Sequence, residues 1–191
     1  MARYGSGMDR YISLLRGINV GGHGRLPMDD LKHLYAGLGF AHVRTLLQSG
    51  NAIFDTEPAD PASLGERIEQ GIVQNMGFRP RVIVLRPAQL AEALAQNPYP
   101  NEAVAAPDRL LLSFLDADPN AHAEAKLREQ SRGPERFSLR GRTLYTYYPE
   151  GVGRSKLTLS LLERTLGCQS TARNWNTLQK LAALCSAPLA Q

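Results

Sequence analysis

The sequence predicts an α+β protein built from two halves, each an α/β plait of the ferredoxin-like order βαββαβ with one added helix. Three observations carry that reading. Short β-prone runs alternate with segments whose apolar residues recur at helical spacing, and over the first half their order is βαββαβ. The same order begins again after Asn97-Pro98-Tyr99-Pro100-Asn101, which reads as a linker because two prolines so close exclude regular structure. A length of 191 residues suits one large domain or two small ones. The halves are drawn at residues 8–97 and 102–191, and they share element order with negligible residue identity.

Tyr11 to Leu15 is the first strand. Pro27, Asp29 and Asp30 suit a helix start, Leu31, Leu34, Tyr35 and Leu38 form its apolar stripe, and Gly37 and Gly39 end it. Val43 to Leu47 and Ala52 to Phe54 are β-prone runs around a turn, Gln48-Ser49-Gly50-Asn51. After Pro58 and Pro61 a helix carries Leu64, Ile68, Ile72, Val73 and Met76 on one face and closes at Gly77. Val82 to Leu85 is the fourth strand, and Ala88 to Ala95 the added helix. In the second half Leu110 to Leu115 is a strand, and Asp118-Pro119 opens a helix running to Gln130. Arg136 to Leu139 and Thr143 to Tyr147 form a hairpin around Arg140-Gly141-Arg142. Ser155 is read as the cap of a helix with Leu157, Leu161, Leu162 and Leu166. Gln169 to Ala172 closes the sheet, and Asn174 to Cys185 is the final helix.

Composition narrows the function classes. The chain is 43% hydrophobic and 21% charged, as soluble proteins are, and no apolar run approaches the ~20 residues of a membrane span. The start, MARYGSGMDRY, lacks the apolar core of a signal peptide, and its GSG is left out of fold reasoning. Cys168 and Cys185 stand in neither a zinc spacing nor a disulfide framework, so a reduced cytoplasmic setting is expected. The net charge of +4 favours anionic partners. Eighteen of the 22 basic residues are arginine, a bias that a GC-rich genome also produces. With no dense basic run and no basic–aromatic interleaving, the sequence argues against nucleic acid.

Two loops attract attention. Arg16 to Gly24, RGINVGGHG, places four glycines between a strand and a helix, where backbone N–H groups can be aimed at an anion. In a plait ordered 4-1-3-2 the loop after strand one and the strand two–three turn share one end of the sheet. Arg16, Asn19, Gln48, Ser49 and Asn51 are therefore expected to converge there, with the N–H groups of Gly21 and Gly22, and with Arg79 joining from the turn before strand four. Asp29 and Asp30, at the start of the following helix, oppose an anion there. At the opposite end of the other sheet Gly151-Val152-Gly153-Arg154-Ser155-Lys156 resembles a phosphate loop without matching the Walker spacing. The closing strand is expected to bring Arg173, Asn174 and Trp175 to that end. Trp175 suits core packing and Asn174 a helix cap, whereas Arg173 beside Arg154 and Lys156 would call for an anion.

Catalytic machinery is thin. His23 is a lone loop histidine, His33 and His42 have no partner that the sequence places, Cys168 has no visible base, and no nucleophile elbow, His-Glu-x-x-His or carboxylate cluster occurs. No metal site and no cofactor are expected.

RGINVGG at Arg16 to Gly22, QSGN at Gln48 to Asn51, GRSKLT at Gly153 to Thr158 and TARNWNT at Thr171 to Thr177 occur in that order. Together they resemble the bacterial family catalogued as domain of unknown function 1697, from about Tyr11 to Leu184. The resemblance implies a two-part α/β-plait protein of the bacterial cytoplasm. It implies no activity and carries over no catalytic residue. The expectation for function is binding of a small anionic ligand, a nucleotide or phosphorylated metabolite, through the glycine-rich loops. The alternatives are an enzyme acting on such a ligand and a protein–protein interaction module, and the oligomeric state is open.

Overall fold

The fold was obtained as a computed structural model that describes residues 7–19 and 24–187. The first part of the chain runs β1 (Asp9–Arg16), α1 (Met28–Gly37), β2 (Ala41–Leu46), β3 (Asn51–Thr56), α2 (Pro61–Met76), β4 (Arg81–Leu85) and α3 (Pro87–Ala95). The second runs α4 (Pro100–Ala105), β5 (Leu110–Leu115), α5 (Ala123–Gln130), β6 (Arg136–Arg140), β7 (Thr143–Tyr147), a 3₁₀ turn at Val152–Arg154, α6 (Leu159–Leu166), β8 (Ser170–Asn174) and α7 (Trp175–Ser186). The strands make two four-stranded antiparallel sheets, ordered β2-β3-β1-β4 and β6-β7-β5-β8. This is the predicted α+β class, with the plait order repeated.

In the first sheet Tyr11, Leu15, Ala52, Phe54, Val82 and Val84 pack on Leu31, Leu34 and Tyr35 of α1 and Leu64, Ile68 and Ile72 of α2. Tyr35 keeps its hydroxyl satisfied inside the core through Ser13, at 2.8 Å. The other face of the sheet, with Ile12, Leu14, Ile53, Ile83 and Leu85, is buried as well. Burial on both faces is why β1 and β4 read as continuous apolar runs instead of alternating ones. In the second sheet Leu111, Leu115, Leu144 and Tyr148 pack on Ala123, Leu127, Leu162 and Leu166.

Three expectations are corrected. The linker at Asn97 to Asn101 runs into α4, with Pro100 in its first turn, where a missing N–H breaks no helical bond. Asp118 does not cap a helix: it pairs with Arg142 Nε at 2.6 Å, and α5 starts at Ala123. Ser155 does not cap α6. Thr158 does, its Oγ1 accepting from Leu161 N at 3.3 Å, so the GVGRSK segment ends in a 3₁₀ turn before the helix begins.

The described chain divides into two compact units, residues up to Leu90 together with those from Leu181, and Ala91–Lys180. The partition falls within α3 and within α7, whereas the sequence-based division fell at 97 and 102. The last turns of α7 count with the first unit. Arg44 Nη2 donates to Leu184 O at 3.0 Å and Arg10 Nη1 to Cys185 O at 2.8 Å, two cations on the negative end of that helix.

Candidate functional site

The end of β1 and the β2–β3 turn meet, as the plait order requires. Leu15 N donates to Gly50 O at 2.8 Å, and Asn19 Nδ2 reaches Gln48 O at 2.9 Å. Gly50 has φ +76°, and a Cβ there would stand 2.6 Å from Ile18 Cδ1 and 2.8 Å from Leu15 Cβ. Only glycine fits this turn so close to the strand.

Asn19, in the left-handed region at φ +53°, also donates to Leu26 O at 3.0 Å and accepts from Leu26 N at 2.9 Å. Its amide thus joins both ends of the loop to the turn, a framework role. Asn51 is fully buried, and its Nδ2 donates to Leu46 O at 2.8 Å and to Ser49 Oγ at 2.9 Å. Gln48 and Ser49 are exposed. Gly21, Gly22 and His23 lie outside the described residues.

Arginines gather at this edge. Arg16 stands directly across the ladder from Arg81, and like charges so placed repel. Glu69, 3% exposed, is the carboxylate that answers Arg81 and its neighbour Arg79. It accepts from Arg79 Nε at 3.1 Å and Val82 N at 3.0 Å, with Arg81 Nη1 at 3.5 Å. Sequence reasoning passed over Glu69 as an ordinary helix residue. Its signal is a carboxylate two residues before Gly71, on the face that carries Ile68 and Ile72.

The second loop forms a cleft of about 150 Å³. Arg154, Ser155 and Lys156 line it, as do Arg132, Glu135, Tyr148, Glu150 and Gly151. Among the described residues, the side chains of Arg132, Arg154 and Lys156 make no hydrogen bond or ion pair with protein. Glu135 accepts from Ser155 Oγ, which in turn accepts from Leu157 N at 2.9 Å. The turn from Tyr148 to Gly151 is fastened by Tyr148 N to Arg109 O at 2.9 Å and Gly151 N to Tyr148 O at 3.0 Å. The Arg109 guanidinium donates to Pro149 O from the same strand end. Gly151 has φ 84° and ψ 153°, a conformation restricted to glycine that clusters at ligand sites. Burial pushes the Tyr148 phenol up to about 12, so it stays a neutral donor.

Arg173 lies elsewhere. It pairs with Leu112, next to Tyr145 on the neighbouring strand, on the sheet face opposite Leu111 and Leu115, and Nη1 bonds Ala172 O at 2.8 Å. Burial lowers its pKa to about 10, which leaves it charged at neutral pH. The third cation of the cleft is Arg132, from the α5–β6 connection. Asn174 Oδ1 accepts from Thr177 N at 2.9 Å, capping α7 as the sequence suggested. Trp175 is buried. Both cysteines are free thiols, and burial pushes Cys185 up to about 11 and Cys168 upward, against a thiolate nucleophile. Among the described residues no three His, Cys, Asp or Glu side chains are grouped to hold a metal ion, and no helix is long and apolar enough to cross a membrane.

Residues 8–145 match the model of the family described as "Protein of unknown function (DUF1697)". The chain belongs to that family. The part matching the DUF1697 model includes both motifs of the first half and Arg132 and Glu135, and stops before Tyr148. A solved structure, that of the conserved bacterial protein SP0830 from Streptococcus pneumoniae, is similar over 93% of this chain and 98% of its own. The TM-score is 0.71 and the identity 22%, a likeness of fold. No curated protein matches the chain.

Proposed function

We propose that this DUF1697 protein is a cytoplasmic binder of a small phosphorylated ligand, and that the GVGRSK cleft receives the phosphate group. The observation that carries this is the convergence of Arg132, Arg154 and Lys156 on one cleft without protein partners among the described residues. Most other arginines of the chain are bonded to a carboxylate or a carbonyl, as Arg10, Arg79, Arg86, Arg109, Arg136 and Arg142 are. All three cations of the cleft are exposed, and a phosphate among them would gain attraction from each. The three outnumber the two carboxylates of the cleft, and one of these, Glu135, already accepts from Ser155. The cleft, about 150 Å³, is large enough to receive a phosphate group.

In this reading the end of β1 is a second place for negative charge, through Arg16, with Asn19 bracing the turn beside it. A plait that binds single-stranded nucleic acid stacks bases on an open sheet face. Here both faces of the first sheet are buried, which supports a small ligand over nucleic acid.

Thermal shift and calorimetry with inorganic phosphate, sugar phosphates and nucleotides test the proposal. Phosphorylated ligands are expected to raise Tm, and Arg154→Ala with Lys156→Ala to abolish the rise. A rise that survives the double substitution, or none with any ligand, overturns it. Arg16→Ala measures any share of the first edge.

A further inference from the structure

The cleft is lined by both signs of charge, all but Glu135 of them exposed. Glu150 lines it with Arg132, Arg154 and Lys156, yet among the described residues it forms no ion pair with any of them. Glu135 differs, because its carboxylate is folded over Gly133 and accepts from Ser155 Oγ. Resting on the phosphate reading above, we propose that the ligand is an aminoalkyl phosphomonoester, its phosphate against the three cations and its ammonium against Glu150.

Three features support this class. A carboxylate at the site of a simple anion is a repulsive element, and specificity is commonly built by such elements. It discriminates against a plain phosphate and in favour of one carrying its own cation. The backbone bearing Glu150 is also held in place. Pro149 O accepts from Arg109, Gly151 N donates to Tyr148 O at 3.0 Å, and Gly151 takes the glycine-only conformation that turns the chain there. The cleft, about 150 Å³, also admits a phosphate joined to an amine by a short carbon chain.

The test compares aminoethyl phosphate with n-propyl phosphate, which replaces the ammonium by a methyl group, using calorimetry on the full chain. Wild type is expected to bind aminoethyl phosphate about tenfold tighter, the ratio of one well-placed charge contact. Glu150→Gln should level the two, Glu150→Lys should reverse the preference, and Lys156→Ala should weaken both. Equal binding by wild type, or a preference that persists in Glu150→Gln and Glu150→Lys, overturns the aminoalkyl assignment and leaves phosphate binding standing. Failure of both probes and of inorganic phosphate to bind overturns the phosphate reading itself.

Discussion

Asp55 shows how one residue ties distant parts of the chain together. Arg10 Nε donates to its Oδ1 at 2.9 Å and Nη2 to its Oδ2 at 3.2 Å, while His42 Nδ1 stands 3.0 Å from Oδ2. Burial pushes the Asp55 carboxyl up, but the Arg10 guanidinium and then His42 outweigh it and hold it below its ordinary value. A carboxylate with a depressed folded pKa stabilises above the unfolded value, about pH 4, and that stability is lost as the pH falls through the folded value. Urea unfolding of wild type from pH 5 to pH 2 should therefore show an acid limb that is shallower in Asp55→Asn. At pH 7 the variant should be less stable by about 1–3 kcal/mol, because Arg10 loses its charged acceptor. No pattern of residue types discloses this arrangement: Asp55, His42 and Arg10 lie on three strands. Asn19 was equally opaque. Its place in a glycine-rich loop suggested a ligand group, and its hydrogen bonds make it a brace.

Within α2 two glycines occupy helical positions, where each costs about 1 kcal/mol relative to alanine. They differ in what surrounds them. A Cβ on Gly65 would stand 2.9 Å from Val82 O, a backbone atom of the adjacent strand that cannot yield cheaply. On Gly71 it would lie 3.4 Å from Leu38 Cδ1, close to ordinary contact with a flexible side chain. Gly65→Ala is thus expected to destabilise by about 1–3 kcal/mol through overpacking. Gly71→Ala should stabilise by about 0.5–1 kcal/mol, and denaturant midpoints at pH 7 measure both. Elements bounded by clear signals were legible: Leu110–Leu115 and Thr143–Tyr147 are the predicted strands to the residue. The helix at Pro100 was not, since proline punctuates linkers and opens helices alike. At α6 both Ser155 and Thr158 are competent caps, and only the observed backbone selects the second. Arg132 escaped notice because the two cations it joins, Arg154 and Lys156, lie more than 20 residues away, and the fold alone brings them to one cleft.

For the whole molecule, the plait order was legible because hydrophobic runs and turns fix the number and sequence of strands. The assignment of the chain's last residues was not. Leu184 and Cys185 accept hydrogen bonds from Arg44 and Arg10, so the compact unit around the first sheet includes residues from the far end of the chain. A fragment of residues 8–97 lacks them. It is expected to bind a hydrophobic dye and to give poorly dispersed amide resonances, whereas the intact chain gives neither sign. A fragment with sharp, dispersed resonances and cooperative unfolding would contradict that. The same bonds have a consequence for chain connectivity. Arg10 Nη1 lies 3.5 Å from Ala187 O as well as 2.8 Å from Cys185 O, so position 10 and position 187 are neighbours in space. Any cross-link between these two positions would therefore tie β1 to the end of α7 within one compact unit.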